Sequence, residues 1–154
     1  MKICIVRHGS AEPGAVNDRS RALTARGLAQ ADGAGKWLAQ QPLNNAEVYA
    51  SPYLRAQQTA GEVAGHTGLD ITTVDLLTPD ADIQALLATI ESRTDDLILV
   101  SHLPLVGHLA AYLTDGEVYE QPWSPAEVWV LEGEIAGPGC MSVKEVWYPV
   151  LEGI

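Results

Sequence analysis

Twice in this chain an uninterrupted apolar run stops at a histidine. Ile3–Cys4–Ile5–Val6 leads into Arg7–His8–Gly9, and Leu97–Ile98–Leu99–Val100 leads into Ser101–His102–Leu103–Pro104. Runs this short and this apolar, without polar alternation, read as strands buried on both faces, as in a parallel sheet covered by helices. In an open sheet of that kind, ligands sit at the C-terminal edge of the strands. Both histidines are therefore expected at one working edge. Gly9 lets the backbone turn away without a Cβ in the path. The Arg7 cation disfavours an imidazolium beside it. His8 is thus a candidate for a neutral nucleophile that meets an anion.

Between these runs the chain alternates strand and helix. Ser10 to Arg21, with Pro13, Gly14, Asn17 and Asp18, reads as a loop that leaves and returns near the edge. Thr24 can cap a helix to about Gln41, with Leu28, Ala31, Trp37 and Leu38 as core contacts; Gly27, Gly33 and Gly35 should weaken it. Val48–Ala50 is a second strand. Ser51 then reads as an N-cap and Pro52 as the first residue of a helix to about Thr67, stopped by Gly68. Arg55 falls in its first turn, where free N–H groups already attract anions. A third strand over Ile71–Val74 precedes a turn and cap at Thr78–Pro79–Asp80. Ile83, Leu86, Leu87 and Ile90 follow at helical spacing. Pro104 starts a helix with a stripe of Val106, Leu109, Ala110 and Leu113, closed by Asp115–Gly116. The tail differs: Val128–Leu131 and Val143–Tyr148 read as a hairpin at one side of the sheet, and Trp123, Trp129 and Trp147 as packing residues. The alternation predicts a three-layer α/β/α sandwich with a mostly parallel sheet and an added antiparallel element, in one domain over residues 1–154.

Charge narrows the chemistry. The 154 residues carry a net charge of −11, with 20 acidic and 9 basic side chains, which argues against a nucleic-acid partner. Scarcity makes position informative, because Arg7, Arg19, Arg21 and Arg55 all fall in or beside the segments placed at the working edge. A few arginines gathered there suggest a focused anion site, although Arg19 and Arg26 are read as ordinary surface residues. His66, near a helix C-terminus, and His108, off its helix's apolar stripe, are read as surface groups. Two cysteines are too few for a disulfide framework, and Cys4 reads as a small core residue. The N-terminal apolar run ends at Arg7, too early for a signal peptide or membrane span, so a cytoplasmic protein without a membrane partner is expected. Two histidines with arginines suit phosphoryl transfer better than a metal, whose sites add carboxylates or thiolates. Neither a Gly-rich nucleotide loop ending in Gly-Lys-Ser/Thr nor a cysteine phosphatase loop is present.

Arg7–His8–Gly9 after an N-terminal strand resembles the signature of the histidine phosphatase superfamily, whose fold is phosphoglycerate-mutase-like. The stretch from Ser51–Pro52–Tyr53–Leu54–Arg55 to Ala60 resembles that superfamily's second arginine motif. Ser101–His102–Leu103–Pro104–Leu105–Val106–Gly107 resembles its second histidine motif. With Leu77–Thr78–Pro79 and the short chain, the pattern is similar to the small SixA-type phosphohistidine phosphatases from Met1 to about Gly116 and is weak beyond.

The resemblance implies that His8 is the nucleophile and becomes phosphohistidine, and that Arg7, Arg55 and His102 bind the phosphoryl oxygens. It implies a further pocket arginine at Arg21, in Ser20–Arg21–Ala22–Leu23–Thr24, where relatives have Arg-Pro-Leu-Thr. Three cations around one phosphate supply spread positive charge, so no metal and no cofactor are expected. Leu76 stands where relatives often have a glutamate before Leu-Thr-Pro, and Asp75, Asp80 and Asp82 remain unassigned as a general acid. A missing acid penalises an alkoxide leaving group more than an imidazole. The expected function is a phosphohistidine protein phosphatase, monomeric, whose partner is a phosphorylated histidine-containing protein such as a histidine phosphotransfer domain. A broad small-molecule phosphomonoesterase ranks second, since a short chain leaves little room for a cap over the substrate. A non-catalytic reader of phosphate or phosphohistidine ranks third, because a reader needs cations but no nucleophile at position 8.

Overall fold

Ten helices and strands follow the predicted alternation in a computed structural model that describes residues 1–150. They are β1 (Lys2–Arg7), α1 (Ala25–Ala39), β2 (Glu47–Ala50), α2 (Leu54–Thr67), β3 (Ile71–Thr73), α3 (Ile83–Ile90), β4 (Leu97–Ser101), α4 (Leu105–Asp115), β5 (Val128–Glu132) and β6 (Ser142–Trp147). Single 3₁₀ turns lie at Asp18–Ser20 and Asp75–Leu77. Residues 151–154 of the expected 1–154 unit lie outside the described residues. Among the described residues, no helix is long and apolar enough to cross a membrane.

The strands lie in the order β3-β2-β4-β1-β5-β6. The first four run parallel, and β5 and β6 are antiparallel to their neighbours. Successive residues point to opposite faces of a strand, so each fully apolar run feeds two cores. Ile3, Ile5, Leu97 and Leu99 pack toward α3 and α4, with Leu86 and Leu109. Cys4, Val6, Ile98 and Val100 pack toward α1 and α2, with Leu38 and Val63. The three-layer α/β/α sandwich is therefore present, with the tail hairpin bound directly to β1 rather than appended at a distance. Trp37 stacks on Trp147 and Trp123 on Trp129, as packing residues.

Four local expectations fail for physical reasons. Leu28 is exposed at 39 %, because the face of α1 that meets the sheet carries Gly27, Gln30, Ala31, Ala34 and Leu38 instead. Gly27 is not a helix weakness but a contact: a Cβ there would lie 2.0 Å from the Ser10 carbonyl oxygen. Gly35 meets Glu62 of α2 in the same way. Ser51 does not cap α2, which starts at Leu54 behind Tyr53; its hydroxyl is turned inward. Asp82, rather than the Thr78–Pro79–Asp80 turn, caps α3, accepting from the Gln84 and Ala85 N–H groups.

Candidate active site

His8 follows the last residue of β1 and is held on both sides by the sheet. Its N–H donates to Ser101 O of β4 at 3.0 Å, and its carbonyl accepts from Ala126 N at 3.1 Å. The neighbouring Gly9 lies so close to α1 that a Cβ would stand 2.5 Å from Gly27 O, and its N–H donates to Thr59 Oγ1 at 3.1 Å. The ring is oriented as firmly as the backbone. Nδ1 lies 2.6 Å from Gly9 O, which can only accept, so Nδ1 carries the proton. Nε2 therefore keeps its lone pair, and Arg55 Nε–H donates to it at 3.3 Å. His8 is 9 % exposed. Burial first, then the guanidiniums of Arg55, Arg7 and Arg21, push this imidazole down to about 4, against the Gly9 carbonyl. Desolvation, not the Arg7 charge singled out in the sequence, is thus the larger reason the ring is neutral.

Arg55 enters from the first turn of α2 and is buried. The polar residues that follow it brace the loops. Gln57 Nε2 donates to Ser51 O at 2.8 Å, Gln58 Oε1 accepts from Leu23 N at 2.7 Å, and Thr59 Oγ1 donates to Arg55 O at 2.8 Å. Across the site, Tyr53 lies with its ring centroid 5.0 Å from the Arg55 guanidinium carbon.

His102 ends β4 and is 1 % exposed, its ring centroid 5.0 Å from that of His8. Its Nε2 lies 2.7 Å from Ser51 Oγ, whereas its buried Nδ1 has no partner among the described residues. Burial, then His8 and Arg55, push His102 down to about 3. It is a neutral hydrogen-bonding group at pH 7, not one of three cations. The cations beside His8 are Arg55, Arg7 and Arg21. Arg7 is half-buried, donates through Nη1 to Trp123 O, and leaves Nε without a partner among the described residues.

Asp18, a loop residue in sequence, reaches both Arg55 and Arg21. Its carbonyl accepts from Arg55 Nη1 at 2.7 Å, and one carboxylate oxygen accepts from Arg55 Nη2 at 3.1 Å. The other accepts from Arg21 Nη1 at 3.0 Å, and Arg21 Nε donates to Glu12 O at 2.8 Å. Both arginines hold the Asp18 carboxyl below the usual carboxylate range, Arg21 most strongly. The loop returns to the site because Ala11 and Leu23 pair across its neck. Arg19, read as an ordinary surface residue, lies at the rim, 5.5 Å from the Tyr53 ring centroid.

The remaining candidates make no side-chain hydrogen bond to these groups among the described residues. Asp82 is taken by the α3 cap, and neither Asp75 nor Asp80 has a side-chain hydrogen bond to a site residue among the described residues. His66 pairs with Asp32 and His108 with Glu120. Asp32, Glu62 and His66 bring ligand atoms within 4.8 Å of one another, but Glu62 and His66 lie roughly 10–16 Å along α2 from Arg55, Asp32 is on α1, and Lys36 already pairs with Asp32. A cavity of about 290 Å³ lined by Leu38, Leu43, Asn45, His66 and Leu69 includes none of the catalytic candidates. The structure thus gathers His8, Arg7, Arg55, His102 and Arg21, and adds Ser51, Asp18 and Trp123. Trp123 and Ala126 carried no local signal. Ser51 and Asp18 carry one, but it signals a helix cap and a loop rather than a place beside Arg55 and His102.

The arrangement offers a lone pair on a neutral imidazole beside guanidinium groups. Comparison with known proteins points the same way. The family model of the histidine phosphatase superfamily (branch 1) matches residues 3–78. The chain is 37 % identical over 123 residues to phosphohistidine phosphatase SixA of Escherichia coli K12, covering 76 % of each. It is 35 % identical over 126 residues to a SixA homolog of Haemophilus influenzae, covering 73 % of this chain and 77 % of that one. The structure of the protein histidine phosphatase SixA complexed with tungstate superimposes with a TM-score of 0.86 at 29 % identity, over 96 % of this chain and 97 % of that one. The likeness of fold therefore includes the tail beyond Gly116, where the sequence resemblance is weak.

Proposed function

This chain belongs to the histidine phosphatase superfamily and is a phosphatase, and we propose that it removes phosphate from phosphohistidine in proteins through a covalent intermediate on His8, without a metal ion. The phosphoglycerate-mutase-like fold and the enzyme class set aside the non-catalytic reader. The observation that carries the reading is the state of His8: Nδ1–H donates to Gly9 O and Nε2 keeps its lone pair among the arginines.

Nε2 attacks phosphorus as the donor's P–N bond breaks. A donor imidazole protonated on its far nitrogen leaves as a neutral ring, so this step runs without a general acid. An alkoxide would need one, and none of Asp75, Asp80 and Asp82 has a side-chain hydrogen bond to a site residue among the described residues. Water then attacks the phosphorus of phospho-His8. Because Nδ1 has kept its proton on Gly9 O, His8 also departs as a neutral imidazole, and the water's proton leaves with phosphate or solvent. Phosphoryl transfer needs placement and spread charge, and Arg7, Arg55 and Arg21 supply the charge with His102 as a neutral partner. Asp18 holds two of those guanidiniums in the free enzyme and must release them as the phosphoryl group arrives. The whole chain, residues 1–154, acts in this reading as one catalytic unit, in the cytoplasm, as a monomer. Its partner is a phosphorylated histidine-containing protein of the phosphotransfer-domain kind.

The test is rapid-quench transfer from a ³²P-phosphohistidine protein in EDTA. Acid-labile, alkali-stable label on the wild type, lost together with phosphate release in His8→Ala, is expected. Unimpaired release by His8→Ala, or a requirement for added metal, overturns the mechanism. Turnover of small phosphate esters alone moves the substrate to the second expectation.

A further inference from the structure

Ser51 ends β2 fully buried, and its groups are almost all assigned. Its N–H donates to Val100 O at 3.1 Å, and its carbonyl accepts from Gln57 Nε2 at 2.8 Å. The hydroxyl oxygen accepts from Tyr53 N at 3.2 Å and lies 2.7 Å from His102 Nε2. A hydroxyl has one hydrogen to give. Among the described residues the only acceptor within reach of that hydrogen is His102 Nε2. If Nε2 carried a proton and donated instead, a buried O–H would remain unpaired, which is unfavourable. The opposite direction pairs the hydroxyl and moves the ring proton to Nδ1, the buried nitrogen without a partner among the described residues.

We propose that Ser51 is a positioning residue: it donates Oγ–H to Nε2, locks His102 in the Nδ1–H tautomer, and so presents an N–H donor to a phosphoryl oxygen. The proposal rests on the reading of His102 as a phosphoryl contact. Burial keeps the ring neutral at pH 7, so the tautomer is a defined property of the free enzyme. The two histidines, 5.0 Å apart, then carry the same tautomer to opposite ends. His8 anchors its N–H on Gly9 O and offers a lone pair to phosphorus. His102 anchors its lone pair on Ser51 and offers an N–H to oxygen. The other tautomer of His102 would turn a second lone pair toward the anion and repel it.

Nitrogen-15 spectra of histidine-labelled protein at pH 7, with His102 assigned by His102→Gln, test this directly. Wild type should show a pyrrole-type Nδ1 and a pyridine-type Nε2 on His102. A protonated Nε2 in the wild type overturns the proposal whatever the activity. Adding tungstate or inorganic phosphate should shift His102 Nδ1 and leave the tautomer unchanged. The expected tautomer with no response to either anion would instead overturn His102 as a phosphoryl contact, and with it the catalytic half of the proposal. Ser51→Ala should mix the tautomers and lower kcat for phosphate release ~10–100-fold, the range for partners that orient a functional histidine. Ser51→Thr, which keeps a hydroxyl, should restore the tautomer. A Ser51→Ala enzyme with the wild-type tautomer overturns the proposal, and if that variant does not fold, the wild-type spectrum alone decides.

Discussion

Asp96 stands where β4 begins and His102 where it ends, and both are buried. Around Asp96 the chain supplies partners. Its carboxylate oxygens accept from Lys2 N and Asn44 N, each at 2.7 Å, and its carbonyl accepts from Arg93 Nη2 at 3.2 Å. Arg93 Nη1 reaches Tyr49 Oη and Glu47, and only its Nε is left over. Around His102 the supply stops short. Nδ1 of His102 and Nε of Arg7 are buried without partners among the described residues, and Arg55 leans on an exposed loop carboxylate. Buried polar groups are almost always paired. The Asp96 carboxylate is fully paired, as architecture requires, and the unmet groups beside His8 are those a bound anion would need.

Substitutions at the two edges should separate cleanly. His8→Ala should lower phosphate release by at least ~10³-fold, as loss of a nucleophile does in other covalent enzymes, with little loss of thermal stability. Asp96→Ala should do the reverse. It leaves two backbone N–H groups unmet and should lower unfolding free energy by about 2–4 kcal/mol, read by urea denaturation, with kcat unchanged. An Asp96→Ala enzyme that is stable but inactive would break the contrast between the edges.

Acid should expose the same contrast. The unfolded chain protonates its histidines near the ordinary value, whereas folded His8 and His102 stay neutral down to about 4 and about 3. The unfolded state then binds more protons, so stability falls as pH drops below the ordinary value of 6.5, by about 1.4 kcal/mol per pH unit for each histidine. Denaturation midpoints between pH 7 and 4.5 should show this slope, and His8→Ala should reduce it. Activity should persist below pH 6 and fail near pH 4, where His8 gains a proton.

The smallest effect concerns the loop. Asp18→Asn keeps a side-chain acceptor but removes the charge that occupies Arg55 and Arg21. Inorganic phosphate should then inhibit about 3-fold more tightly, a size set by the modest worth of an exposed ion pair. Weaker inhibition would mean that the Asp18 carboxylate assists anion binding rather than opposing it.

The elements were readable because their signals are local. Apolar runs gave β1 and β4, Thr24 caps α1 as expected with its hydroxyl accepting from Gly27 N, and Gly68 and Gly116 end α2 and α4 in the left-handed region. Arg7, His8, Arg55 and His102 stand out as candidates because they lie at or shortly after strand ends, whereas Arg21, in a loop, is marked only by the scarcity of arginine and by the resemblance. What escaped was set by distance along the chain. Trp123 meets Arg7 across 116 residues, and Asp18 meets Arg55 across 37. Ser51 carries a strong capping preference, yet His102 outcompetes the helix for its hydroxyl, 51 residues away. Gly27 reads as a propensity defect until Ser10 is seen against it. The turn signal at Asp18 says loop and nothing of the arginines it meets, because composition and periodicity are blind to contacts made across the chain.

The place of β1 in the sheet also fixes when this enzyme can exist during its own synthesis. β1 is synthesised well before its two neighbours, β4 and β5, at Leu97–Ser101 and Val128–Glu132. Until those segments have emerged, His8 lacks both Ser101 O and Ala126 N, the groups that hold its backbone. At about 5–20 residues per second, the strand that leads into His8 waits several seconds as an apolar ribbon without either neighbour. A nascent chain halted before β4 contains Arg7, His8, Arg21 and Arg55 and still has no site. Assembly of this edge thus awaits the synthesis of β4 and β5, although Arg7 and His8 are made well before either.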